Sequence, residues 1–98
     1  MSAKGYWMAM VDVTDADNYP RYIAANKAAF DKYGARFLVR SGRSLSPETP
    51  TGNRHVLIEF ADYETALACY NSPEYQAALK LRRAYSNAHI VIVEGIES

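Results

Sequence analysis

Apolar residues recur along the chain with two periods, two and roughly three and a half, and each change of period marks an element. GYWMAMVDV (5–13) alternates: Trp7, Ala9, Val11 and Val13 share one face, while Tyr6, Met8, Met10 and Asp12 share the other. Both faces are largely apolar, which is unusual for an antiparallel sheet with one wet side. This strand therefore needs helices on one face and some other cover on the second. TDADNYP follows, with Thr14, Asp15, Asp17 and Asn18 as candidate N-caps and Pro20 tolerable in a first helical turn. A helix is predicted at about 18–33, with Tyr19, Tyr22, Ile23, Asn26, Phe30 and Tyr33 as its inner stripe. Gly34 stands where a left-handed C-cap is expected.

ARFLVR (35–40) predicts a second strand, with Phe37 and Val39 pointing one way and Arg36, Leu38 and Arg40 the other. Residues 41–53, SGRSLSPETPTGN, hold two prolines and two glycines and predict a long loop, either a lid or a mobile connection. In HVLIEF (55–60), Val56, Ile58 and Phe60 are expected against the helices, and His55, Leu57 and Glu59 on the opposite side. Asp62 caps a helix whose stripe is Tyr63, Ala66, Leu67 and Tyr70, and Asn71 ends it; Cys69 falls off that stripe and reads as a spectator. Ser72, Pro73 and Glu74 restart a helix, with cap, first-turn proline and first-turn carboxylate in preferred places. Its stripe is Tyr75, Ala78, Leu79 and Arg82. HIVIVEG (89–95) predicts the last strand.

The order β-α-β-β-α-β, with the second helix broken in two, predicts an α+β, ferredoxin-like protomer with its helices on one face of a four-stranded antiparallel sheet. The other sheet face, with Leu38 and Leu57, would need cover. A two-fold homodimer through the sheet faces supplies it with one patch used twice.

At 98 residues the chain is expected to be one domain, spanning 1–98. Eleven basic and eleven acidic residues give zero net charge, which argues against nucleic acid and against an anionic membrane surface. A single cysteine excludes an intrachain disulfide and a thiolate metal cluster, and fits a reducing, cytoplasmic setting. MSAKGYWMAM has no long apolar core or small-residue cleavage site, so no signal peptide is expected, and no window predicts a membrane span. Eight tyrosines suit half-buried surfaces against a partner or ligand.

KGYWMAMVDVTD, KYGARFLVRSG, VLIEF, YNSPEYQAALKLR and IVIVEG, in this order and spacing, resemble the family called domain of unknown function thirteen-thirty, within the dimeric α/β-barrel superfamily. The resemblance covers nearly the whole chain. It implies a ferredoxin-like protomer and a dimer whose two sheets form a barrel. That superfamily includes cofactor-free oxygenases, isomerases, haem enzymes and simple binding proteins, and fold alone does not choose among them.

Candidate chemistry falls in four groups. Glu59 as general base and Arg40 as anion anchor are both expected on the face away from the helices; the alternative is a cross-strand ion pair. His55 and His89 open their strands as candidate proton carriers or solvated ends. No third ligand has metal-site spacing and no histidine sits on a helical inner stripe, so neither a metal, nor haem, nor any other cofactor is expected. Tyr75 and Arg82, seven apart, stand on one helical face, where Arg82 would bind a carboxylate or tie to an acidic residue. Asn26 is a polar residue on an apolar stripe and needs partners, and Tyr22 borders the same space. RSGRS (40–44) lacks the spacing of a phosphate loop.

Two functions follow from these residues. One is a small cofactor-independent enzyme, oxygenase- or isomerase-like, acting on a small organic acid: Glu59 or His55 would move protons, Arg40 or Arg82 would hold the anion, and Tyr22, Asn26 and Tyr75 would shape the pocket. The other is a non-catalytic dimer that binds a small molecule or serves as a compact module. An RNA-binding sheet is disfavoured by neutral charge and by the lack of exposed strand aromatics in VLIEF.

Overall fold

A computed structural model describes residues 3–97. In chain order the elements are β1 (Gly5–Val13), α1 (Tyr19–Lys32), β2 (Arg36–Arg40), β3 (Arg54–Phe60), α2 (Tyr63–Asn71), α3 (Pro73–Tyr85) and β4 (Ser86–Glu94). The strands form an antiparallel sheet ordered β2-β3-β1-β4, and the chain has the ferredoxin-like α+β architecture. The absent leader is an expectation that rests partly on Met1 and Ser2, which lie outside the described residues.

β1 takes a central place because both of its faces are apolar. Trp7 and Val11 enter the core beneath the helices, while Met8 and Met10 stay open on the other face. Trp7 organises that core. Its indole Nε1–H donates to the Ala66 carbonyl of α2 at 2.9 Å. Its ring meets Phe30 of α1, Phe60 of β3, and Tyr70 and Tyr75 of α2 and α3, at centroid distances of 4.8–5.6 Å.

Local signals set the helix ends. Gly34 has φ +67° after α1, and the Ala35 N–H returns to the Phe30 carbonyl at 2.9 Å. Asp62 accepts from the Thr65 N–H at 2.7 Å and starts α2. Ser72 starts α3 by accepting from the Tyr75 N–H at 3.1 Å, while its hydroxyl donates to the Cys69 carbonyl at 2.7 Å and closes α2. At the start of α1, Asn18 makes no side-chain cap; Asp15 instead accepts from the Asn18 N–H and side-chain amide.

The structure corrects three expectations. β4 begins at Ser86 rather than at residue 89: Ser86, Asn87 and Ala88 pair with Val13, Asp12 and Val11, so polar side chains concealed the first third of the strand. Cys69 is fully buried in the core rather than set aside: its thiol reaches the Ala29 carbonyl of α1 at 3.8 Å. β2 carries a bulge at Leu38, between Phe37↔Ile58 and Val39↔Leu57, so Val39 and Arg40 exchange faces relative to simple alternation.

Burial pushes the Cys69 thiol up to about 12. The unfolded thiol ionises near 9.0, so this group favours folding below pH 9, and its contribution is lost as pH rises through the window from 9.0 to about 12. A thiol reagent at pH 8 is expected to label the urea-unfolded chain and to leave the native protein unlabelled. Rapid labelling of the native protein would contradict this burial.

Candidate functional site

The bulge at Leu38 decides which side chains meet. Arg40 pairs with Val56, which faces the helices, so Arg40 is brought to the helix side of the sheet. Arg54 precedes Val56 by two residues and shares its face. Above them α1 presents Tyr19, Tyr22 and Asn26 at successive turns, and α3 presents Arg82. Together they enclose a cavity of about 30 Å³ whose wall includes Trp7, Phe30 and Phe37. That volume admits roughly two water-sized groups.

The cavity is strongly cationic. Arg40, Arg54 and Arg82 all line it, and among the described residues none of them forms an ion pair; the ion pairs are Lys27–Asp31, Lys32–Glu74 and Arg36–Glu59. Arg82 is only 7% exposed, as is Asn26. The Nε atoms of Arg54 and Arg82 are buried without a hydrogen-bond partner. Arg40 lies over the Phe37 ring at 4.2 Å and Arg54 over the Tyr19 ring at 5.3 Å. Stacking uses a guanidinium's flat face and leaves its N–H edge to bind an oxyanion.

Phenols complete the site. The hydroxyls of Tyr22 and Tyr75 meet at 2.8 Å. Burial, then the neighbouring Tyr75 phenol, holds Tyr22 well above the usual tyrosine range. Burial also raises Tyr75 and Tyr19, and the nearby guanidiniums of Arg82 and Arg54 pull the other way. All three are neutral donors at pH 7. Tyr75 is fully buried in the core and reaches the site through Tyr22 rather than as cavity wall.

The expected pairing of Glu59 with Arg40 is not formed, because the sheet lies between them. Glu59 stands on the open face, accepts from the Tyr6 hydroxyl at 3.1 Å and has Arg36 at 3.9 Å. Both partners are its register neighbours, Tyr6 on β1 and Arg36 on β2. His55 and His89 flank Met10 across β1, on the same open face as Glu59. His55 Nε2 meets Thr51 Oγ1 at 2.8 Å, which meets Ser46 Oγ at 2.6 Å, and so ties part of the 41–53 loop to the sheet. The loop's end is fixed further: Asn53 bonds both the N–H and the carbonyl of Val13, and Gly52 (φ +93°) lies so close to Val11 that a Cβ would strike its carbonyl. Among the described residues no three His, Cys, Asp or Glu side chains are grouped to hold a metal, and no helix is long and apolar enough to cross a membrane.

The structure brings Tyr22 and Asn26, expected to border one space, together with Arg82, expected beside Tyr75; it sets Arg40 on the helix side rather than the open face, and adds Arg54, which the sequence reading did not name. A signal for Arg54 was present: the period of two in β3, run back from Val56, puts a cation on the apolar face.

Solved structures share this fold. RPA0582, a protein of unknown function from Rhodopseudomonas palustris, is similar over 100% of this chain and 86% of its own, with a TM-score of 0.78 and 13% identity. SnoaB, a cofactor-independent oxygenase from Streptomyces nogalater, is similar over 99% of this chain and 97% of its own, with a TM-score of 0.66 and 15% identity. A dimeric ferredoxin-like protein of unknown function from Jannaschia sp. CCS1 is similar over 93% of this chain and 98% of its own, with a TM-score of 0.66 and 16% identity. At these identities the likeness is one of fold. No curated protein matches the chain. A family model matches residues 4–96, and the chain belongs to that family, Domain of unknown function (DUF1330).

Proposed function

We propose that the protein binds a small organic acid in the arginine-lined cavity and acts on it without a tightly bound cofactor. One observation supports this reading: three arginines line a small aromatic-walled space, and among the described residues no carboxylate pairs with them. A buried cation without a counter-ion is costly, and cost concentrated in a cavity is characteristic of ligand sites. A carboxylate would take two charge-assisted hydrogen bonds there. The neutral Tyr22 phenol would donate to an oxygen that gains charge, as in an enolate. Among the described residues no carboxylate or imidazole lines the cavity, so the arrangement suits a substrate whose C–H is already acidified by a carbonyl. The fold likeness to SnoaB, a cofactor-independent oxygenase, supports this by analogy alone. In this reading His55 and Glu59 take no catalytic part within the protomer.

Scanning fluorimetry tests the binding step. Butyrate at a hundred times its dissociation constant is expected to add about 2.7 kcal/mol, a rise of roughly 10 °C or more, and butyramide to add none. A shift with both, or with neither, overturns the reading. The missing base in the cavity favours a second reading, non-catalytic binding, and the two separate on whether bound acids are turned over.

The same proposal includes a homodimer. Met8, Met10, Val39 and Val91 are exposed on the open sheet face and form one apolar surface with Leu57. Packing two such faces about a two-fold axis covers both, and the Jannaschia relative is described as dimeric. Met8 is 49% exposed, so Met8→Asp leaves the protomer core intact. Sedimentation at micromolar concentration is expected to show a dimer for the wild type and a monomer for the variant. A wild-type monomer would contradict the proposal. A reducing, cytoplasmic setting belongs to the same reading, since the lone thiol is held protonated in the core.

A further inference from the structure

The inner cavity does not stand alone. A groove of about 520 Å³ between α1 and β2 shares Ile23, Asn26, Phe30, Phe37 and Arg40 with it and opens outward along Pro20, Ala24 and Ala35. The two spaces differ in chemistry. The inner one holds the half-buried Arg54 and the buried Arg82 and admits little more than a carboxylate's two oxygens. The outer one is walled mainly by apolar side chains. Its second cation, Lys27, is already bound to Asp31 at 2.8 Å, and Asp31 itself lines the groove. A negative group in the outer groove would therefore meet a carboxylate and a neutralised lysine. Arg40, stacked on Phe37, stands at the junction of the two spaces.

From this we infer the ligand class and its direction: a monocarboxylate whose head enters the inner cavity at Arg54, Arg82 and Asn26, and whose apolar body lies in the α1–β2 groove. The inference rests on the proposed anion site and adds the body's chemistry and path. Arg40 is the residue that sees both parts, its N–H edge beside the carboxylate and its stem along the body.

Calorimetric titration of the full chain with acetate, butyrate, hexanoate and succinate tests it. Affinity is expected to rise about fourfold for each added methylene that the groove buries, from acetate towards hexanoate. Succinate is expected to bind more weakly than butyrate, because its second carboxylate faces Asp31. Ala24→Glu places a carboxylate in the groove at an exposed helical position that tolerates it. It is expected to weaken hexanoate about tenfold and acetate less than about twofold. Equal affinity for acetate and hexanoate, or tighter binding of succinate than butyrate, overturns this inference and leaves the anion site standing. Failure of every carboxylate to bind overturns both.

Discussion

Trp7→Ala is expected to destabilise the fold by about 3–5 kcal/mol, the range for removing a buried aromatic side chain. Trp7 is 2% exposed, and its ring touches residues from α1, β3, α2 and α3 at once. No other side chain ties the sheet to all three helices in this way among the contacts described. Its loss would leave a cavity at the centre and remove the indole's bond to the Ala66 carbonyl. Domains of this size are stable by only about 5–15 kcal/mol, so the variant would sit near the edge of folding. Urea denaturation followed by circular dichroism measures it. Trp7→Phe keeps most of the packing and loses the hydrogen bond, so it should cost about 1–3 kcal/mol. If Trp7→Ala lost less than about 1 kcal/mol, this residue would not be the centre of the core.

Arg82→Leu is expected to separate ligand binding from stability. The guanidinium is buried with its Nε unpartnered and no carboxylate beside it, so the empty protein carries the cost of that charge. Leucine keeps the apolar stem and removes the charge; similar replacements of buried ionic groups are often neutral or stabilising. Unfolding free energy should therefore hold or rise. Butyrate affinity should fall by about 30-fold or more, since truncating one partner of a buried charge pair costs 2–5 kcal/mol. Calorimetry and urea denaturation on the same preparation read both quantities. A variant that unfolds easily and binds as before would make Arg82 a structural residue.

The elements were legible where local chemistry is strong. Gly34 announces the left-handed end of α1, and Ser72-Pro73-Glu74 announces the break between α2 and α3. Trp7 and Val11 follow from alternation, and Asn26 stood out as an amide on an apolar stripe. Less of the site was readable. RFLVR alternates equally well with or without a bulge, and only pairing with β3 shows that Leu38 is the extra residue. That one residue moves Arg40 from Glu59's face to Asn26's. Arg54 lay one position outside the expected strand, and the first residues of β4 are polar, so neither showed the apolar signal by which strands are found. Cys69 failed for a related reason: the stripe of a short helix wedged between a sheet and two helices is broader than a single periodicity.

The central claim is that the arginine-lined cavity, and not the open sheet face, receives the ligand. A crystal structure with butyrate bound tests it most directly. The carboxylate is predicted about 2.7–2.9 Å from nitrogens of Arg54 and Arg82, with the alkyl chain directed past Arg40. Butyrate seated on the open face beside His55 and His89, with no ligand between Arg54 and Arg82, would contradict the account.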